Sequence, residues 1–489
     1  MMLLPLGCGR GKSTATESSA PLEILVPTDA ETLDPRFVTD AVGMRVSRLI
    51  HAGLFRLDPD TLAPTPYLAA SYRWDDDRTL VVTLRDGVRF HSGAELGPSD
   101  VVATLHAFAD PKVGARHARV VEAIDDVALV PGEPRAVRIH LGRAHATLLS
   151  DLELPILRAG EAFAPSGDGS TLDGLGPFTV TSFARGRIEL VPATGAALPA
   201  PKRALRLLTV HDENARALRL LGGRADLALN GVSPSLLPAL ANEPALTITS
   251  RRGANLTYLL FRTDRGPFAD PDLRQAVRWA LDRAPVVTHM LDGRATLATG
   301  LLPPSLWAHG DRPGWDPDPA RARRLVSAAG GRVHVTYLCG TDRLRVAIAK
   351  VFAQELGEVG FDVDVRPLEL GTLLSRLSDG DFDLASLQIP EVTEPNVLRT
   401  FLHSTAVPPR GTNRARVSDA ELDALLDQGD RERDPVVRKA LYASVEERVL
   451  ERAYWIPLWH EDQVAVVGPR AKTFVPSAEG RYLGLASLP

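Results

Sequence analysis

Leu84-Arg85-Asp86-Gly87-Val88-Arg89-Phe90-His91-Ser92-Gly93 carries apolar side chains at alternate positions on both sides of an Asp-Gly pair. Leu80, Val82 and Leu84 lead into the pair, and Val88 and Phe90 follow it. That period of two around a residue free to take positive φ predicts a β-hairpin turning at Asp86-Gly87. Upstream, Leu22, Ile24 and Val26 read as a short strand, and the stretch from Val42 to Leu57 as a helix running into a strand. Downstream, Pro98-Ser99-Asp100 opens a helix with Val101, Leu105 and Phe108 on one face. Val137, Ile139 and Leu141 form another strand, and Arg185-Gly186 sits between two alternating runs as a second hairpin. Leu205 to Val210 reads as a strand before a helix over Asn214 to Leu221.

The second half alternates strand and helix. Asp270-Pro271, Asp318-Pro319 and Asp434-Pro435 each place a capping carboxylate before a proline at the first helical position. Val333, Val335 and Tyr337 make a strand, Leu344 to Val359 a helix closed by Gly360, and Phe361, Val363 and Val365 the next strand. This βαβ order predicts parallel strands with a right-handed crossover, hence an α/β protein with mixed sheets and flanking helices. In the helix after Asp434, Val437, Leu441, Val445 and Val449 are the expected buried face.

With 489 residues the chain has room for two or three cores. Its 56 basic and 61 acidic residues are interspersed, for a net charge of -5, which argues against a nucleic-acid groove. No run approaches the ~18 apolar residues of a membrane span. Two cysteines, Cys8 and Cys339, build neither a disulfide framework nor a thiolate metal site. Cys339 ends an apolar strand and reads as structural. Leu6-Gly7-Cys8, followed by the polar stretch Gly9 to Ser19, resembles a bacterial lipobox, with Cys8 as the lipidated residue and residues 1-21 as signal and linker. Gly11-Lys12-Ser13 mimics the end of a phosphate-binding loop, but Leu6 stands where the first glycine belongs and no strand precedes it.

Catalytic signatures do not emerge. HExxH, GxSxG and a close Cys-His pair are missing from the sequence, so no catalytic residue is assigned and no enzyme is expected. His140 with His145, or His106 with His117, are conceivable metal ligands, but isolated histidines are more often structural; no metal or cofactor is assigned. Asp381 and Asp383 flank Phe382 in what reads as a turn before a strand.

The opening segment also resembles the LRxGVxFHxG signature of the family 5 solute-binding proteins of ABC importers, the class of dipeptide- and oligopeptide-binding proteins. Ser99-Asp100-Val101 follows at the family's distance. Further pieces stand in order: Thr32-Leu33-Asp34-Pro35, Gly174 to Phe178, Gly223 to Asp226, Arg274 to Val277 with Ala280 to Arg283, Ala322 to Gly330, and Glu421 to Leu426. Together they run from about residue 22 to 467, and the set in order identifies more than any piece alone.

The resemblance implies a two-lobed periplasmic binding protein fold of type II with three domains. Residues 22-54, 176-256 and 463-489 would form the core of one lobe, 55-175 an inserted domain of that lobe, and 257-462 the second lobe. It implies capture of a peptide or similar small polar solute between lobes that close by a hinge, and delivery to a membrane permease and ATPase complex. The chain would be a monomer in the periplasm or cell envelope, anchored through Cys8, with no nucleic-acid partner. A sensor or periplasmic chaperone without transport, or a binder of a nickel chelate or oligosaccharide, are the alternatives.

In peptide-binding members a segment resembling W-x-G-D-x-x-D-P meets the ligand. Aligned on its proline, this chain has Gln388-Ile389-Pro390-Glu391-Val392-Thr393-Glu394-Pro395. The resemblance puts Glu391 where the family's α-ammonium-binding aspartate stands and Glu394 at the second aspartate, while Gln388 replaces the aromatic platform. Glu31 and Thr32 are the remaining implied ligand contacts. For Glu391 a solvated loop carboxylate is the equally open alternative.

Overall fold

A computed structural model describes residues 20-194 and 200-489. Cys8 and the Gly11-Lys12-Ser13 segment lie outside the described residues. Two large sheets organise the chain. The first has seven strands in the order Thr247–Arg251, Gln463–Val467, Leu227–Leu229, Leu22–Val26, Leu205–Thr209, Arg187–Pro192 and Phe178–Ala184. Leu22–Val26 lies parallel to both its neighbours, and the other pairs are antiparallel. The second has six strands in the order Ala295–Leu297, Trp455–Glu461, Leu256–Phe261, Leu384–Ile389, Val333–Gly340 and Phe361–Leu368. Between the parts of the first sheet in sequence comes a four-stranded antiparallel sheet, Ala69–Trp74, Thr79–Leu84, Ala136–Leu141 and Ile124–Leu129.

The central strands of both large sheets are covered on two faces and nearly continuously apolar, whereas edge strands such as Thr247–Arg251 and Phe361–Leu368 are not. In Leu256–Phe261 every residue is buried; Leu256, Tyr258 and Leu260 enter one core, and Leu259 and Phe261 the opposite one. Leu22, Ile24 and Val26 likewise face one core of the first sheet while Leu25 faces the other.

The parallel pairing expected of the βαβ run is borne out. Val333–Gly340 and Phe361–Leu368 pair in parallel around the helix Arg343–Val359, and Gly360 ends that helix at φ 113°. Asp270, Asp318 and Asp434 each cap their helices by accepting backbone N–H bonds. The hairpin at Arg185-Gly186 also forms.

Two expectations change. The segment after Asp86-Gly87 does not fold back on Thr79–Leu84, because that strand already pairs with Ala69–Trp74 on one edge and Ala136–Leu141 on the other. Val88 and Phe90 instead close a small loop of their own: Leu96 N donates to Val88 O at 3.0 Å and Phe90 N to Ala94 O at 2.8 Å. Both side chains still enter the same apolar core as Leu80 and Val82. In the helix Pro435–Arg452 the buried face is Arg438, Tyr442, Val445, Glu446 and Val449, and Val437 is exposed. A four-residue spacing advances about 40° per step beyond a full turn, so a stripe of that spacing walks off any one face.

The chain passes between the large sheets twice, at residues 252-255 and at Asp462. Asn255 ties the passages together, and Gly253 is required there: a Cβ on it would lie 2.0 Å from the Glu461 carbonyl oxygen.

Candidate ligand-binding cleft

A cavity of about 1040 Å³ opens between the four-stranded region and the second large sheet's helices. One wall is built by the turn Ala118–Val121 and the short helix Leu148–Asp151. The other comprises the loop at Glu394, the helix Val397–Leu402 and the end of Ala420–Arg431. Its volume is in the range of sites that engulf a small ligand.

His145 stands where the walls meet. Its Nε2 lies 2.7 Å from Asp151 Oδ2 and its Nδ1 3.3 Å from Asp430 Oδ1 across the cleft. The next amide, Ala146 N, donates to Asp430 O at 2.8 Å, and Arg143 also pairs with Asp430. Burial opposes the charged imidazolium, but the two carboxylates outweigh it and push His145 up to about 9. Asp430 is also buried, yet His145 and Arg143 hold it well below the ordinary carboxylate value. His140 instead meets Thr79 Oγ1 at 3.1 Å, and His117 Nε2 meets Val38 O at 2.8 Å. Among the described residues no cluster of three metal-ligating side chains converges.

Glu394 lines the cavity, but its carboxylate is bound by Arg438 Nη2 at 2.5 Å. Burial raises its pKa against the pull of Arg438. Glu391, on the same loop, turns elsewhere. Arg481 Nη2 donates to its Oε2 at 3.1 Å, and Arg48 Nη1 lies 3.7 Å from its Oε1. Arg481 also pairs with Glu153, so a guanidinium from the C-terminal tail joins the loop of Glu391 to the segment after the short helix Leu148–Asp151. Burial alone would raise Glu391; Arg481 and Arg48 outweigh it and lower its pKa. An incoming amine at Glu391 would have to compete with these two cations.

Gln388 is exposed, and its Nε2 donates to Thr257 Oγ1 at 3.2 Å. Thr257 Oγ1 in turn donates to Glu461, which Arg345 binds at 2.7 Å. Glu31 is exposed, while Thr32 Oγ1 donates to Gly167 O at 3.1 Å and accepts from Asp34 N. The structure therefore distributes the five implied contact residues over separate groups rather than gathering them round one point. A smaller pocket of about 170 Å³, lined by Val38, Met44, Ser47 and Arg48, shares Val120 and Asp151 with the main cavity.

The pattern of family 5 of the bacterial extracellular solute-binding proteins (its middle region) matches residues 63–408. The chain belongs to this family. Among relatives of this family 5 protein is the probable di/tripeptide-binding protein 5 of Pseudomonas aeruginosa, 26% identical over 456 residues, covering 84% of each chain. The glutathione-binding protein GsiB of Escherichia coli K12 is 25% identical over 462 residues, covering 90% of this chain and 89% of its own. In fold, the chain is similar to NikA from Brucella suis in complex with Fe(III)-EDTA. The TM-score is 0.87 at 22% identity, over 96% of this chain and all of that one. The two-lobed α/β architecture of the family is thus the architecture here.

Sequence reasoning missed Arg48, Arg481, Arg119, Arg410 and Arg431. Arginines are common along this chain, and nothing local marks these; Arg481 and Glu153 are 328 positions apart.

Proposed function

We propose that this protein is the capture component of an ABC importer, taking up a peptide or similar small polar solute and handing it to a permease and ATPase complex. It acts as a monomer and by binding, not by catalysis. The observation that carries the reading is the cavity of about 1040 Å³ whose walls belong to different sheets, joined by two crossings tied at Asn255. A cleft so built closes by rotation about the crossings. The first lobe comprises residues 22-54, 176-256 and 463-489, with 55-175 inserted, and the second 257-462. The di/tripeptide- and glutathione-binding relatives support a short peptide as ligand. Cys8 carries the lipid that holds the protein at the cell envelope.

Native mass spectrometry of the purified chain tests this: a bound small solute, released on denaturation, is expected. Calorimetry with short peptides then ranks candidates. A chain that co-purifies empty and binds no solute under either method would end the reading.

A further inference from the structure

We propose that the captured solute is a polyanion, a molecule with two or more carboxylates, gripped by Arg119, Arg410 and Arg431. This rests on the solute-capture reading. All three residues line the main cavity and are exposed. Arg119 comes from the inserted region's wall; Arg410 and Arg431 come from the opposite wall.

The charges of the cavity divide unevenly. Its carboxylates are nearly all paired: Asp151 and Asp430 by His145, Asp427 by Arg399 at 2.8 Å, and Glu394 by Arg438. Glu122, exposed in the cavity lining, is the exception among the described residues. By contrast Arg119, Arg410 and Arg431 have no carboxylate partner among the described residues; Arg119 Nη2 only donates to Thr400 Oγ1 at 3.3 Å. Outside the main cavity, Glu391 is neutralised by Arg48 and Arg481. A cationic amine thus finds few free acceptors, whereas an anion finds three guanidinium forks.

Guanidinium groups match carboxylates in shape and can bind them through two parallel hydrogen bonds. In a cleft with low-dielectric walls their combined field also concentrates anions from solution. Because the three arginines approach from both walls, a ligand with separated carboxylates bridges them. Arg119 already reaches the opposite wall at Thr400 Oγ1, so a polyanion held by Arg119 on one side and Arg410 and Arg431 on the other adds to the contacts that join the walls.

Calorimetry on the full chain at low salt uses four probes: trialanine, a tripeptide with two glutamate side chains, one with two lysine side chains, and citrate. The glutamate tripeptide or citrate is expected to bind at least about tenfold tighter than trialanine, the scale of one charge-assisted contact. Which of the two prevails separates a peptide carboxylate from a free polycarboxylate. The preference should shrink as salt is raised and nearly vanish in an R119Q/R431Q double variant with an unchanged melting temperature. Equal or tighter binding of trialanine or the lysine tripeptide overturns the proposal, as does binding of none of the probes. A neutral or cationic solute found by native mass spectrometry overturns it too, but leaves solute capture standing; a chain that never holds any solute removes both.

Discussion

Asn255 and Glu461 exchange hydrogen bonds across the two inter-lobe passages: Asn255 Nδ2 donates to the Glu461 carbonyl at 2.7 Å, and the Glu461 amide donates to Asn255 Oδ1 at 2.8 Å. Asn255 is buried, so Asn255→Leu leaves two backbone groups without partners. Unfolding free energy should fall by about 2-4 kcal/mol. In the wild type, saturating solute should lower the radius of gyration in solution scattering; an unchanged profile would contradict closure about these passages.

The His145 clasp makes stability depend on pH. The folded pKa of His145, about 9, lies above its ordinary 6.5, so its contribution is fully present below about pH 6.5 and is lost as pH rises through 9. Asp430 acts at the other end: its lowered pKa contributes above its ordinary value of 3.8 and is lost as pH falls further. Wild type should exceed His145→Gln by on the order of 3 kcal/mol near pH 6, with the gap shrinking above pH 9. A gap of constant size from pH 5 to 10 in denaturant titrations would show that the imidazole contributes no charge.

Glu391→Gln should act on stability before ligand. It removes one of the carboxylates around buried Arg481, leaving Glu153 and Glu479 to hold that cation. A loss of roughly 1-3 kcal/mol is expected in thermal or chemical unfolding. N-acetylation of a bound peptide should change its affinity less than about threefold. If both the substitution and the acetylation instead weaken binding about thirtyfold, and not additively, Glu391 reads the ligand's amine.

On the proposal that acyl chains on Cys8 supply the anchor, Cys8→Ala should release the protein from membranes into the soluble fraction. Identical fractionation of variant and wild type would place the anchor elsewhere.

Much of the fold was legible along the chain. Leu22, Ile24 and Val26, the Asp-Pro helix starts, and the run from Val333 through Gly360 to Val365 each carry a pattern set by their own backbone geometry. Local periodicity and capping need only neighbours a few positions away, and the structure keeps them. The stretch Leu84 to Gly93 marks the limit. Its turn is real, with Gly87 at φ 73°, but Thr79–Leu84 pairs with Ala69–Trp74 just upstream and with a strand more than fifty positions later, and not with the residues after the turn.

The α/β class, the strand-helix-strand run from Val333 to Val365 and the family are all written in the sequence. What Glu391 and Glu394 face, and which cleft arginines have no carboxylate partner among the described residues, follow only from the folded arrangement. An alternating strand is specified by its own residues, but an ion pair is specified by whichever charge the whole fold brings within about 4 Å. Glu391 finds its partners 343 positions upstream and 90 downstream, at Arg48 and Arg481, and no local pattern encodes that meeting.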